Sequence, residues 1–342
     1  MERTSAPDAA LGRAPAIDDA PAAALAWHRA GKGAALATVI ETWGSAPRPR
    51  GAQLAISGEA ELVGSVSGGC VEDAVVTEAL DALSRPGGAR HRVLEYGVSD
   101  DEAFAVGLAC GGTIRILLEP VAAAGEGGLD EAVLADLAAR RARGEAAAQA
   151  VDVETGRVRL LGPAEVAERL RADRSDFEPD GRTFVTLHAP PLRLVVVGGV
   201  HVAQALVPMA RIAGYAPTVI DPREAFASPD RFPGTALVHD WPDAAVTALA
   251  PDARTAVVLL THDPKLDDPA LRVALAGPAF YVGALGSTRT HAKRVARLTD
   301  AGLDAALLER IDAPIGLDIG ARSPAEIAVS ILAAMTRALR RP

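Results

Sequence analysis

From Leu192 onward the chain is written in short, continuous apolar runs, each followed by a segment of helical period. The runs are Leu192–Val197, Ala216–Ile220, Thr235–Val238, Ala256–Leu260 and Ala279–Val282. Helices are predicted over His201–Ala213, Asp243–Ala248, Pro269–Leu275, Thr288–Leu298 and Ala325–Arg340. A strand buried on both faces needs no polar alternation, so such runs separated by helices predict a doubly wound, parallel α/β sheet of the Rossmann type. The first half is patterned differently. A helix around Ala22–Arg29 leads into the β-branched stretch Ala34–Glu41, and shorter strands are predicted at Gln53–Ser57, Glu61–Val66, His91–Tyr96 and Thr113–Glu119. One helical pattern, Val71–Leu83, stands among them; Val121–Arg143 carries Ala, Leu and Arg at helical period, and Gln149–Leu161 alternates like a hairpin. The expected organisation is a disordered tail over residues 1–20 and a mixed α/β domain over 21–170 with its core in 22–120. A polar linker over 171–190 then leads to the Rossmann-like domain, 191–342.

Composition narrows the partners more than the fold. A net charge of −9, from 35 Lys and Arg against 44 Asp and Glu, argues against nucleic acid, because duplex affinity comes from neutralising phosphates. No apolar run approaches the roughly 20 residues that span a bilayer, and the acidic start, rich in Ala and Pro, lacks the blocks of a signal peptide. No membrane association is expected. Two cysteines, Cys70 and Cys110, with no CxxC pair, imply neither a disulfide framework nor a structural zinc site, and a reducing cytoplasm fits them.

Ligands of a doubly wound sheet sit outside the carboxyl ends of its strands. The residues there are polar: Gly198, Gly199 and His201 after the first run, Asp221 after the second, Thr261, His262 and Asp263 after the fourth, and Gly283 through Gly286, Ser287 and Arg289 after the fifth. The turn Gly198-Gly199-Val200-His201-Val202-Ala203 partly matches a dinucleotide fingerprint, with Val200 where a glycine would let the backbone approach pyrophosphate. Asp221 lies 23 residues beyond Gly198, where a carboxylate takes ribose hydroxyls, which favours NAD over NADP. His201, His262 and Asp263 are of metal-ligating type, although spacing this long fixes no geometry. In the first half, Ser67-Gly68-Gly69-Cys70 opens a helical pattern, a place where free N–H groups and the helix dipole favour an anion or a thiolate. Cys110-Gly111-Gly112 mirrors it 40 residues on. Either cysteine read alone is equally a small buried apolar residue. Arg48 and Arg50 alternate with prolines on a stiff loop suited to phosphate or carboxylate, or to plain surface chemistry in an Arg-rich chain. No HExxH, GxSxG or GKS motif is present.

Several long motifs stand in a familiar order. Gly44-Ser45-Ala46-Pro47-Arg48-Pro49-Arg50-Gly51, Val63 through Glu72 (VGSVSGGCVE) and Gly107-Leu108-Ala109-Cys110-Gly111-Gly112, ending at Glu119-Pro120, resemble the amino-terminal domain of the XdhC/CoxI family. Leu260-Thr261-His262-Asp263, Tyr281 through Ser287 (YVGALGS), Ala313 through Gly320 (APIGLDIG) and Pro324 through Ile331 (PAEIAVSI) resemble that family's Rossmann domain. The resemblance covers about residues 22–120 and 190–336. It implies an accessory protein more than a stand-alone enzyme, one that matures molybdenum hydroxylases such as xanthine dehydrogenase or carbon monoxide dehydrogenase. Such a protein binds molybdenum cofactor of the molybdopterin type, favours its sulfurated form and delivers it to the apoenzyme. A cysteine desulfurase as second partner and a homodimer are part of that expectation. Carried onto these residues, it has Cys70 or Cys110 as the soft sulfur donor, and Ser67, Gly68, Gly69, Gly111, Gly112, Gly286 and Ser287 around the cofactor with charge from Arg48 or Arg50. The family's usual glycine-alanine-glycine-His-Val-glycine turn is altered here, since Gly199, Val200 and Ala203 replace alanine and two glycines. Two rival expectations are an NAD-dependent oxidoreductase, with His201, His262 or Asp263 as acid or base, and a non-catalytic docking adaptor.

Overall fold

The structure is a computed structural model of the chain, and it describes residues 19–43, 48–69, 71–85, 90–97, 113–123 and 127–341. Residues 1–18 of the expected tail, Cys70, Cys110, Gly111 and Gly112 lie outside the described residues. The chain divides into two compact units, one running to Pro190 and the other starting at Pro191.

In the amino-terminal unit, α1 (Ala20–Arg29) begins with Pro21 in its first turn and Asp19 accepting from the N–H of Ala22 at 3.3 Å. Strand β1 (Ala34–Trp43) is flanked by β2 (Gln53–Ser57) and β5 (Thr113–Ala122), both antiparallel to it. Beyond them lie β3 (Leu62–Gly64) and β4 (Arg92–Tyr96), giving the order β3-β2-β1-β5-β4, and β6 (Leu129–Asp130) pairs with the end of β5. Helix α2 (Glu72–Ser84) packs Val75 and Ala79 on one face of this sheet, against Val39, Ile56 and Ile116. The opposite face takes α1 and α3 (Glu131–Ala142) through Leu25, Leu36 and Leu134. The helix expected from Val121 begins only at Glu131, because β5 runs on to Ala122 and the helix waits for its cap, Asp130, which accepts from Ala132 N–H at 2.8 Å.

The expected linker, 171–190, is folded. Strands β7 (Ala147–Asp152) and β8 (Val158–Leu161), helix α4 (Ala167–Ala172) and strands β9 (Asp176–Phe177) and β10 (Thr183–His188) make a second antiparallel sheet, ordered β8-β7-β10-β9. Polar residues in 171–181 make turns here instead of solvating a tether. The Asp180 carboxylate accepts the N–H groups of Arg182 and Thr183, both at 2.8 Å, and returns the chain into β10, where Phe184 meets Phe177 edge-on at 5.1 Å.

The carboxy-terminal unit is the doubly wound sheet. Its strands are β11 (Leu192–Val197), β12 (Tyr215–Ile220), β13 (Ala236–Val238), β14 (Thr255–Leu259), β15 (Tyr281–Ala284) and β16 (Ile311–Asp312). All pairings are parallel and the order is β13-β12-β11-β14-β15-β16, so the direction of winding reverses between β11 and β14. Leu194 and Val196 face the layer of α5 (His201–Ile212) and α10 (Pro324–Arg340), whereas Val195 and Val197 face α6 (Pro242–Leu249), α7 (Pro264–Ala276) and α8 (Thr288–Asp300). That two-sided burial is why these strands show no alternation. The short α9 (Ala305–Leu308) and the two-residue β16 carry too few apolar positions to announce themselves. β15 begins two residues later than the apolar run, and α7 starts five residues earlier than its pattern, at Pro264, because Asp263 caps it.

Candidate functional site

In the amino-terminal unit the Ser65–Gly69 loop is built around one carboxylate. Glu72, first residue of α2, accepts the N–H groups of Val66, Ser67, Gly68 and Gly69 at 3.2, 2.8, 2.9 and 2.8 Å. The hydroxyls of Ser65, at 2.8 Å, and Ser67 also donate to it. Gly68 and Gly69 both sit at positive φ, +80° and +114°, which lets successive N–H groups converge on one point and is a reason for glycine at both places. Partial burial alone would raise the Glu72 carboxyl, but the donors from Ser67, Ser65 and Gly69 outweigh it and hold it down at about 2. The donors expected to face a phosphate therefore face the protein's own anion. Arg48 donates from Nε to Ser65 O at 3.2 Å and pins this loop, while Arg50 donates to Asp176 at 2.5 Å and lies 3.7 Å from Glu41. Both expected phosphate cations thus also serve as ties within the unit.

In the carboxy-terminal unit the winding reversal brings the tips of β11 and β14 together. Gly198 has φ +107°, and a Cβ on it would come to 2.7 Å from Thr261 Cγ2 and 3.2 Å from Thr261 N, so only glycine fits. Thr261 donates from Oγ1 to Asp267 Oδ1 at 2.6 Å and accepts the N–H of Asp263 at 3.0 Å. His262, next to it, is exposed and held at φ +61°, an unusual conformation for a residue with a side chain, at the strand tip. Partial desolvation by its neighbours, then the positive charge of Arg294, lowers its pKa. Asp263 and Ser287 cap α7 and α8, accepting from Lys265 N–H at 2.9 Å and Thr290 N–H at 3.2 Å.

The dinucleotide reading meets a specific obstacle. Asp221, expected to take ribose hydroxyls, has a fully buried side chain that accepts Gly199 N–H at 2.9 Å, Arg223 N–H at 3.0 Å and a two-pronged Arg223 guanidinium at 2.8 and 2.7 Å. Its burial would raise the pKa, yet the Arg223 and Gly199 donors bring it below the usual range. Arg223, held there and stacked 4.0 Å over Phe226, covers the carboxylate that a ribose would need. Gly283, expected in a ligand loop, lies inside β15, where a Cβ would come to 2.6 Å from Ile315 Cδ1; packing explains it. Gly286 (φ +142°) makes the turn into α8, and His201 and Arg289 are exposed on the first turns of α5 and α8. Among the described residues no three of His, Cys, Asp and Glu gather as a metal site, so His201, His262 and Asp263 do not form one.

Two buried residues absent from the expected set lie beside these tips. Asp267, on α7, and Arg294, on α8, face each other with Oδ2 and Nη2 3.7 Å apart, and each side chain is 2 % exposed. Arg294 donates from Nη2 to Leu285 O at 2.8 Å, but its Nε and Nη1 have no hydrogen-bond partner, nor does Asp267 Oδ2. Burial raises the Asp267 carboxyl to about 6, against the pull of Thr261 and Arg294. Both line a cavity of about 250 Å³ with His262, Thr290 and Lys293. A larger one, about 660 Å³, is lined by residues of α6, α7 and α8 such as Asp243, Arg272 and Leu298, with none from the strand tips.

Comparison with known proteins gives this geometry a setting. The model of the XdhC and CoxI family matches residues 27–97, and that of the XdhC Rossmann domain matches residues 194–335. The Escherichia coli K12 protein PaoD, named a molybdenum cofactor insertion chaperone, is 32% identical over 303 residues, which is 89% of this chain and 82% of PaoD. The chain belongs to the XdhC and CoxI family. A Bacillus subtilis 168 protein named as a probable subunit of xanthine dehydrogenase is 24% identical over 322 residues, covering 90% of this chain and 94% of that protein. A Bacillus halodurans chain whose crystal structure bears the name xanthine dehydrogenase superposes with a TM-score of 0.69 at 24% identity, over 94% of this chain and 96% of that one, and so shares its fold.

For this member of the XdhC and CoxI family, the structure gathers Gly198, Gly199, Asp221 and Thr261 at one set of strand tips and Arg48, Ser67, Gly68 and Gly69 at one loop, each within its own unit. Asp267 and Arg294 had a legible signal. Arg294 lies four residues before Leu298 on α8, so a charge occupies a position on the apolar stripe. Among the described residues no helix is long and apolar enough to cross a membrane.

Proposed function

We propose that this chain is a molybdenum cofactor insertion chaperone, which shields the cofactor as cargo and hands it to a molybdenum hydroxylase of the xanthine dehydrogenase or carbon monoxide dehydrogenase type. The observation that carries the reading is 32% identity to the chaperone PaoD over 303 residues, a length that spans both units. Assistance with sulfuration, through Cys70 or Cys110 and a cysteine desulfurase, belongs to the same proposal, as do a cytoplasmic homodimer and a soft thiolate contact to molybdenum. The residues present suit such cargo in kind. Cys70 and Cys110 offer thiols for a soft metal, and the Ser65–Gly69 loop, gathered by Glu72, immediately precedes Cys70 in the chain. The glycine turn at Gly198, with Asp221 covered by Arg223, favours cargo handling over NAD chemistry.

The test is loading and transfer. Chain purified from a molybdate-replete host is expected to carry molybdenum and pterin in mass spectrometry, and to raise the activity of a molybdenum hydroxylase apoenzyme added to it. Cys70→Ala with Cys110→Ala is expected to lower both. A chain that neither carries cofactor nor activates apoenzyme overturns the reading, and wild-type loading by the double variant removes the thiolate role from it.

A further inference from the structure

Helix α8 is held to the fold by little apolar surface. Its neighbour α7 buries Leu266, Ala270, Leu271, Ala274 and Leu275, whereas α8 buries only Arg294 and Leu298 of its thirteen residues. Apolar burial is what holds a helix against a sheet, so α8 leans on Leu298 with help from the partly buried Val295. Its other buried anchor works against closure. Arg294 lies 3.7 Å from Asp267, too far for a hydrogen bond, because Leu285 O holds Nη2 and Thr261 holds Oδ1 of the carboxylate. Nε and Nη1 of Arg294 and Oδ2 of Asp267 are shut off from solvent and have no partner, and only movement of α8 away from α7 can supply one. The remaining ion pair across this seam lies at the surface: Arg297 of α8, 41% exposed, grips Asp268 of α7 at 2.6 and 3.0 Å, a clasp that is weak in solvent. The chain on either side of α8 can turn, with Gly286 at φ +142° before it and Gly302 at +86° after it. Room to start the movement exists as well. The 250 Å³ cavity lies between the two helices, lined by Pro264, Asp267 and Asp268 on one side and Thr290, Lys293 and Arg297 on the other.

We propose that α8 is a lid over the tips of β14 and β15: hinged at Gly286 and Gly302, it lifts from α7, parts the Arg297–Asp268 clasp and lets solvent reach Arg294 and Asp267. Apolar contact at Leu298 favours the closed position and the unmet buried charges favour the open one, and this opposition is what makes the element movable. Leu285 O, which accepts from Arg294 just before the hinge, brings the lid back into register when it closes. Lifting α8 widens the cavity beside Thr261, the residue that lies against Gly198, so access to the winding reversal depends on the position of α8. Such a lid serves any ligand of the strand tips and stands apart from the chaperone reading.

The experiment is native-state hydrogen exchange on the full chain at pH 7, read by mass spectrometry of peptides from α7 and α8, with urea raised in steps below the unfolding transition. Amides of α8 are expected to be at least about a hundredfold less protected than those of α7, through an opening that urea barely promotes, because a lifting lid exposes little surface. Arg294→Met combined with Asp267→Leu replaces the pair by apolar side chains of similar volume and removes all three unmet atoms. It is expected to raise the protection of α8 at least about tenfold and to leave α7 unchanged. A helix that merely frays at its ends would exchange as fast in the double variant as in wild type. Protection of α8 equal to that of α7, exchange of α8 as sensitive to urea as global unfolding, or a double variant whose α8 is no better protected overturns the lid. Should the double variant fail to fold, Asp268→Ala cuts only the outer clasp and is expected to lower the protection of α8 at least about twofold with α7 unaffected; equal protection then overturns the lid.

Discussion

Glu119, at the end of the Thr113–Glu119 motif, is fully buried on β5 opposite Leu36, with one hydrogen bond from Gln149 Nε2 at 3.2 Å. Burial raises its carboxyl from 4.5 to about 8, against a small opposing effect of Gln149, so the folded protein holds it neutral at pH 7. A shift of that size, at 1.36 kcal/mol per unit, amounts to about 5 kcal/mol of stability. The sign follows from proton counting. Below about pH 4.5 both states are protonated and nothing is lost; between 4.5 and 8 the unfolded chain releases a proton that the folded chain keeps, so stability falls as pH rises and levels off above 8. Glu119→Gln copies the neutral form, and its amide can donate to Gln149 Oε1, which has no partner in the wild type. The variant is therefore expected to match wild type near pH 4.5 and to exceed it by about 3 kcal/mol at pH 7, rising to about 4–5 at pH 8. Urea denaturation in a Trp241→Phe background isolates the amino-terminal unit, because the remaining Trp27 and Trp43 both belong to it and Trp241 is exposed. Parallel stability curves for the two proteins from pH 4.5 to 8 would refute the buried, protonated carboxyl.

Three further changes test the local arrangements. Glu72→Gln removes the charge that gathers the Ser65–Gly69 loop. Because Glu72 is only partly buried, solvent screening reduces the effect of its drop from 4.5 to about 2 to roughly 1–2 kcal/mol, present above pH 4.5 and lost as pH falls towards 2; denaturation at pH 7 and pH 3 measures it. Gly198→Ala combines a φ of +107° with a Cβ 2.7 Å from Thr261, and is expected to destabilise the carboxy-terminal unit by about 2–4 kcal/mol in calorimetry, with unaltered melting counting against the close approach. Arg223→Ala uncovers the Asp221 carboxylate; if Arg223 is what bars a ribose, NAD binding measured by calorimetry should be stronger in the variant than in wild type, and equal or weaker binding contradicts that role.

The parallel sheet was the most legible part of the chain, because strands covered on both faces leave unbroken apolar runs and the helices between them keep their period. Leu192–Val197 and His201 onward could be placed almost to the residue for this reason. The segment 171–190 was not legible. Its turn chemistry at Asp180 looks like solvated polarity until β10 finds β7 across thirty residues of chain, a pairing with no local trace. At the sites, residue type was readable and employment was not. Glycines after Ser67 do line up their N–H groups, and Asp221 does sit where a ribose carboxylate sits, but whether such a group meets a ligand or a neighbour depends on the side chains that fold onto it.

That distinction separates the polar clusters of this protein from one another. The Ser65–Gly69 donors converge on Glu72, and both oxygens of Asp221 are met by Gly199 and Arg223; each cluster is complete and needs nothing from outside. Arg294 and Asp267 are more deeply buried than the Ser65–Gly69 loop and carry the same kinds of groups, yet their partners, Leu285 O and Thr261, hold them apart and leave donors and an acceptor unmet. A fold selected only for stability would close such a pair or replace it with apolar side chains of similar volume, since breaking or half-pairing buried charge costs several kcal/mol.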